Sequence, residues 1–303
     1  MRPARLATAS VLIDPTPSYP SRCVDRCLDY IDQAGQANAD LILLPEEPDV
    51  VGCTPEEIAN LPELIPGGPR LEQFAQRAKA NNIYVAYSQR ERDGDRIFNT
   101  GVLIDRQGEL VGKYRKMHLA PGEQSDVLPG DMGYPVFECD FGRVAIGICM
   151  DIHYPEMWRI YALKGADVLL FPTMCLDYTG DHIESIVNAR AIDNQVYLVS
   201  SHFIMQPFLA GRSMGHSRII DPYGRTLADT SHRPGMVFAD VDLDAGFDTW
   251  YTGEMKAQYP TLKECYLGMR RPETYGELVQ PDGESPAWRI EPTRARSLHS
   301  QPM

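Results

Sequence analysis

The sequence predicts a layered α/β fold made as one domain from two similar αβ halves. Three observations lead there. Stretches with the two-residue period of a strand alternate along the chain with stretches of helical period. A weak internal repeat pairs Asn38-Ala-Asp-Leu-Ile-Leu-Leu-Pro with Gly165-Ala-Asp-Val-Leu-Leu-Phe-Pro, and each copy follows a helical stretch. No low-complexity linker divides the 303 residues, whose 43% hydrophobic content can bury one large core or two small ones.

Taken in order, Ala4 to Ile13 reads as a first strand. The apolar stretch from Met1 stops at Asp14-Pro15 and is too short and broken for a signal peptide. Ser21 to Ala34 is an amphipathic helix ending at Gly35, with Cys23 and Cys27 one turn apart beside Leu28, Ile31 and Ala34. No further metal ligands lie near those two thiols, so they read as core packing. Ala39 to Leu44 is a buried strand running into Pro45-Glu46-Glu47-Pro48. Leu71 to Ala80 is a helix with Leu71, Phe74, Ala75 and Ala78 on one face. Ile83 to Gln89 is a strand, Asp93-Gly94 a hairpin turn, and Phe98 to Ile104 the returning strand. After the Arg106-Gln-Gly turn comes Leu110 to Lys116.

From Arg143, Val144, Ile146 and Ile148 alternate with Ala145, Gly147 and Cys149, which predicts a strand over 143–149. Pro155 at a first helical turn and Gly165 past a last one bracket Met157, Trp158, Ile160, Tyr161 and Leu163. Ala166 to Phe171 is a second buried strand, Ile183 to Gln195 a helix, and Val196 to Phe203 a strand. Arg218 to Ile220 and Gly235 to Asp242 are strands parted by an Asp221-Pro-Tyr-Gly turn. From Asp248 the chain is irregular and rich in Pro and Arg. Residues 1–246 therefore form the main body, and 247–303 an extended arm of the same domain.

A net charge of −13 and a pI near 5.0 argue against nucleic acid or an anionic membrane surface as partner. No segment is long enough to cross a bilayer. The seven scattered cysteines lack framework spacing, which predicts a reduced, cytoplasmic protein. Nothing in the sequence calls for a metal or a cofactor.

Three polar residues stand at or just past predicted strand ends: Glu46, Lys116 and Cys149. In layered α/β folds, ligand sites gather at the carboxyl ends of strands. A thiol nucleophile needs a base and a cationic or amide group for the oxyanion, and these three residue types supply both without a histidine. Each has an ordinary reading too: an inert buried thiol, a solvated loop acid, a surface lysine. Spacing alone does not join them.

The motifs do. They are Leu43-Leu44-Pro45-Glu46, then Gly112-Lys-Tyr-Arg-Lys116-Met-His-Leu, then Gly147-Ile-Cys149-Met-Asp151 followed by Pro155-Glu156. Gly122-Glu123, Pro129-Gly130, Ala189-Arg-Ala-Ile-Asp193-Asn194 and Ser217-Arg-Ile-Ile-Asp-Pro-Tyr-Gly224 support them. In this order, over nearly its whole length, the chain resembles the nitrilase superfamily of carbon–nitrogen hydrolases. The resemblance implies a four-layer αββα sandwich, two stacked mixed sheets with helices outside, assembled as a homodimer or higher homo-oligomer. It implies Cys149 as nucleophile, Glu46 as general base, Lys116 as oxyanion stabiliser and Glu123 as the second glutamate that positions them. Glu47 rivals Glu46, but the family acid directly follows Pro. The backbone N–H of Met150 is the natural second oxyanion donor.

Met150-Asp151 stands where true nitrilases commonly carry Trp-Glu. That pair, Pro155-Glu156 and Arg270-Arg271-Pro272-Glu-Thr-Tyr275 resemble the amidase and N-carbamoyl hydrolase branches. The implied reaction is thiol-dependent hydrolysis of a small amide or N-carbamoyl substrate through a thioester, releasing ammonia or an amine. Hydrolysis of nitriles and a catalytically idle scaffold are the alternatives, although an idle member should have lost Glu46, Lys116 or Cys149. A papain-type Cys–His pair using His118 or His153 is a third. His153 occupies the place of a basic Arg in many relatives and is either a loop histidine or a substrate contact. Met174 and Cys175 follow the strand at 166–171 and should line the pocket, with Cys175 a minor rival nucleophile.

Overall fold

The computed structural model describes residues 1–13, 19–174, 180–205, 215–245 and 253–279. The first compact unit, Met1–Leu267, carries the sheets. In chain order its elements are β1 (Pro3–Ile13), α1 (Tyr19–Gln36), β2 (Leu41–Leu43), α2 (Pro55–Ile58), α3 (Pro69–Asn81), β3 (Tyr84–Asp93), β4 (Arg96–Ile104), β5 (Leu110–Arg115), β6 (Phe137–Glu138) and β7 (Arg143–Ile146). A 3-10 turn at Cys149–His153 leads to α4 (Pro155–Leu163), β8 (Val168–Pro172), α5 (Gly180–Asn194), β9 (Tyr197–Ser201), β10 (Phe203–Met205), β11 (Arg218–Ile220), β12 (Thr226–Asp229), β13 (Gly235–Asp242), α6 (Glu254–Gln258) and α7 (Leu262–Gly268).

The expected repeat is a pair of βαβαβ units. β1-α1-β2-α3-β3 makes a parallel run in the first sheet, and β7-α4-β8-α5-β9 makes one in the second. Each crossover helix closes on a left-handed residue: Asn38 (φ 54°), Asn82 (52°), Gly165 (87°) and Gln195 (52°). The next amide then reaches back five residues, as Ala39 does to the Ala34 carbonyl (3.0 Å) and Ala166 to that of Tyr161 (3.0 Å), which satisfies an orphan carbonyl and turns the chain into a strand. The Ala-Asp of the repeat has the same work in both halves. Asp40 accepts the Arg5 amide (2.7 Å) and donates its own N–H to the Arg5 carbonyl (2.8 Å). Asp167 does the same with Arg143 (2.9 and 2.8 Å).

The first sheet runs β10-β1-β2-β3-β4-β5 with β13 antiparallel to β1, and the second β12-β11-β9-β8-β7-β6. Alternation along the strands sorts the core into two clusters. Ala7, Ile42, Leu44, Val85 and Val102 pack outward on Ile31 of α1 and Phe74 and Ala78 of α3, and Cys23 and Cys27 lie buried there. Leu6, Leu41, Leu43 and Leu103 pack inward with Ile146 and Leu170, in one cluster with Trp158 and Tyr161 of α4 and Ala191 of α5. The result is the αββα sandwich. Hydroxyls stitch the two sheets together: Thr8 donates to the Ser200 carbonyl (2.7 Å), while Ser201 and Ser217 donate to that of Ala9 (2.8 and 2.9 Å).

Four local expectations change. The strand over 196–203 is two strands in different sheets: the chain leaves the second at Ser201, passes His202 and joins β1 at Phe203. Its polar Ser200-Ser201-His202 stretch binds across the interface instead of continuing one ladder. The strand over 143–149 ends at Ile146, because the carboxylate of Asp151 draws Ile148 into a turn. β12, unforeseen, returns from the Asp221 turn against β11. The stretch read as irregular after Asp248 carries α6 and α7, and Leu262 and Cys265 of α7 are buried. Cys175 and residues 280–303 of the arm lie outside the described residues. Within the second unit, Gly268–Met303, the described part holds two 3-10 turns, Pro272–Thr274 and Gly276–Val279. Among the described residues no helix is long and apolar enough to cross a membrane.

Candidate active site

The carboxyl ends of β2, β7 and β8, with the end of β5, carry the polar residues singled out above. Glu46 lies three residues beyond β2 and is 2% exposed; Lys116 follows β5 and is 1% exposed. Isolated charges are not buried this deeply without partners. Lys116 Nζ donates to Glu46 Oε1 (2.8 Å) and to both oxygens of Glu123 (2.8 and 2.6 Å). Its charge is held well above the ordinary lysine range: burial is the largest single influence and opposes the charge, but Glu46, Cys149 and Glu123 together outweigh it. Cys149 is thus among the groups whose charge acts on this lysine.

Backbone ties fix the frame. The Lys116 amide donates to the Asn99 carbonyl (2.9 Å), and its own carbonyl accepts from Gly130 (2.8 Å). Glu123 Oε2 accepts from the Ala120 amide (2.8 Å). Glu46 Oε2 accepts from the Met174 amide (2.7 Å), so the predicted pocket residue Met174 touches the site through its backbone. Glu47 turns elsewhere. It adopts φ 45°, takes Arg90 Nε at 2.7 Å, and has its carboxyl pushed up to about 8, by burial first, with Arg90 opposing and Glu46 adding.

Cys149 is half-buried and left-handed, φ 46°, a conformation that costs a non-glycine residue strain. Met150 stands directly behind it, early in the turn, where a short helix leaves amides without intrahelical carbonyls. His153 ends the turn, half-buried. His118, the other candidate base, has Nδ1 2.7 Å from Asp151 Oδ1 and stacks on Tyr154 with ring centroids 3.7 Å apart.

Two residues of this candidate site were given no role in it by the sequence reading. Asn99, buried in β4, donates its Nδ2 to Glu46 Oε1 (2.8 Å) and Glu123 Oε1 (3.3 Å). Its one signal was an amide inside an apolar strand, where a buried polar group requires partners. Asp151 was visible only as part of a motif, with no role. The assembled site can deprotonate a thiol, hold an oxyanion beside an ammonium, and shuttle a proton on a carboxylate. Among the described residues no group of three or more His, Cys, Asp or Glu could hold a metal ion.

Residues 7–247 match the family model described as carbon-nitrogen hydrolase. The deaminated glutathione amidase of Homo sapiens is 30% identical over 271 residues, covering 84% of this chain and 79% of that protein. The omega-amidase NIT2 of Xenopus tropicalis is 31% identical over 274 residues, covering 86% and 94%. Among solved structures, a double mutant of the amidase from Nesterenkonia sp. AN1 in complex with acrylamide superposes with a TM-score of 0.74 at 22% identity, covering 92% of this chain and 98% of that one. At that identity the likeness is one of fold.

Proposed function

Since the chain belongs to the carbon–nitrogen hydrolase family and is a hydrolase of amidase type, we propose that it cleaves a small ω-amide through a thioester on Cys149. The observation that carries this reading is the buried Lys116 ammonium, bonded to Glu46 and Glu123, in a segment tied through Asp151 to the turn that begins at Cys149. Glu46 takes the thiol proton as sulfur attacks the amide carbon. The tetrahedral oxyanion is held by Lys116 and the Met150 N–H. Protonated Glu46 gives its proton to the departing nitrogen, ammonia leaves, and the thioester remains. Glu46 then activates a water that releases the acid, while Glu123 keeps the ammonium aimed. Both omega-amidase and deaminated glutathione amidase are named for amides, which supports an amide over a nitrile or an N-carbamoyl group.

The test is ammonia release across short ω-amides, N-carbamoyl amino acids, N-carbamoyl diamines and simple nitriles. Turnover of the ω-amides, abolished in Cys149→Ala with circular dichroism unchanged, is the expected result. Activity confined to nitriles, or wild-type turnover by Cys149→Ala, overturns it. Self-association to a homodimer or higher homo-oligomer belongs to the same proposal and is read by sedimentation.

A further inference from the structure

We propose that Asp151 is a positioning residue that fixes Cys149 relative to Lys116; this rests on the reading of those two as nucleophile and oxyanion cation. Asp151 is fully buried, and its carboxylate has four donors. Oδ2 accepts from the Ile148 amide (2.8 Å) and the Tyr114 hydroxyl (2.8 Å). Oδ1 accepts from the His118 amide (3.1 Å) and lies 2.7 Å from His118 Nδ1, which donates to it in the matching tautomer. An ionised carboxylate has about four acceptor sites, so this one is saturated.

These partners fall into two sets. One set encloses the nucleophile: Ile148 donates to Asp151 Oδ2, and the Asp151 amide returns to the Ile148 carbonyl (3.0 Å). A ring closed at 148 and 151 leaves Cys149 little freedom, and the left-handed φ of 46° is the conformation it holds. Trp158 Nε1 donates to the Asp151 carbonyl (2.9 Å) and pins the ring to α4. The other set encloses the lysine. Tyr114 precedes Lys116 by two residues and His118 follows by two, and the Tyr114 oxygen also accepts the Met117 amide (3.1 Å). An acid that merely capped its own turn would need only the Ile148 bond. This one also anchors both flanks of Lys116, more than thirty residues away in the chain. One side chain therefore sets the separation of thiol and ammonium.

Asp151→Asn replaces one oxygen by a group that donates. Whichever way the amide turns, one backbone donor, the Ile148 amide or the His118 amide, loses its acceptor, while the Tyr114 hydroxyl and His118 Nδ1 can reverse and accept instead. The experiment uses the full-length protein and an ω-amide that the wild type hydrolyses. It records kcat, KM, the rate of Cys149 alkylation by iodoacetamide, and the thermal midpoint. The expected result is a kcat lower by about a hundredfold, as for a misplacement of roughly 1 Å, with KM within about threefold and slower alkylation in a protein that stays folded. A wild-type kcat, or a rise in KM that accounts for the whole loss, overturns the proposal. Should Asp151→Asn not fold, Tyr114→Phe removes a single donor. It should then lower kcat severalfold at unchanged KM, and a wild-type kcat there overturns the proposal equally. A loss in His118→Ala that exceeds the loss in Asp151→Asn makes the imidazole the acting group and also overturns it. Cys149→Ala separates the two levels: if it retains turnover, the reading of the nucleophile fails, whatever Asp151 does.

Discussion

Asn99 gives its side-chain N–H to Glu46 Oε1 across 2.8 Å, to the same oxygen that takes a hydrogen from Lys116. Under the proposed mechanism, in which the ammonium turns toward an oxyanion, this amide is the donor that still holds that oxygen in place. Asn99→Leu keeps the branched shape and deletes a charge-assisted bond of roughly 1.5–3 kcal/mol. Steady-state kinetics should show kcat/KM reduced by about ten- to a hundredfold.

Lys116→Met leaves Glu46 and Glu123 without the cation between them. Removing one partner of a buried charge set costs about 3–5 kcal/mol. Denaturant unfolding at neutral pH should register a loss of that order, and the rate of ammonia release should fall by at least about 100- to 1000-fold. A variant as stable as the parent would show that the two acids hold their places unaided.

Gly130 is set against the backbone behind the same lysine. A Cβ added there would collide with the Arg115 carbonyl oxygen, which no rotamer can relieve. The Gly130 N–H also holds the Lys116 carbonyl. Gly130→Ala should lower stability by about 1–3 kcal/mol, as overpacking does, and lower kcat with it. Calorimetry and kinetics on one preparation check both.

His202 predicts a pH effect. Its imidazole is pushed down to about 3, by burial first and then by the charges of Arg218 and His216, with Asp229 opposing. An unfolded chain binds this proton below about pH 6.5 and the folded chain does not, so stability is lost as pH falls through that window. At pH 5 the linkage amounts to about 2 kcal/mol. His202→Phe keeps a ring against Phe171 and cannot take the proton. Urea unfolding at pH 7.5 and pH 5 should therefore show the variant losing about 2 kcal/mol less than the wild type.

Periodicity and punctuation located most strands and crossover helices, because each is a local pattern. The Ala-Asp repeat was legible for the same reason, and its meaning, a reciprocal bond to Arg5 or Arg143, came from the strand alongside. Glu46, Lys116 and Cys149 were legible through their motifs; the spacing of the residues alone gave no reason to join them. Asn99 and Asp151 were not, since what matters about each is a partner supplied by another element. Asn99 faces Glu46 only once the loop after β2 is laid beside β4, 53 positions away in the chain. The switch of sheets at His202 carries no Gly or Pro to mark it, and β12, polar and partly exposed, lacks an apolar face to betray it.

The hydroxyl bonds between β1 and the strands at Ser200, Ser201 and Ser217 have a mechanical consequence. With these links, and with the chain itself passing from one layer to the other through a single residue, sliding one sheet along the other would break several bonds at once.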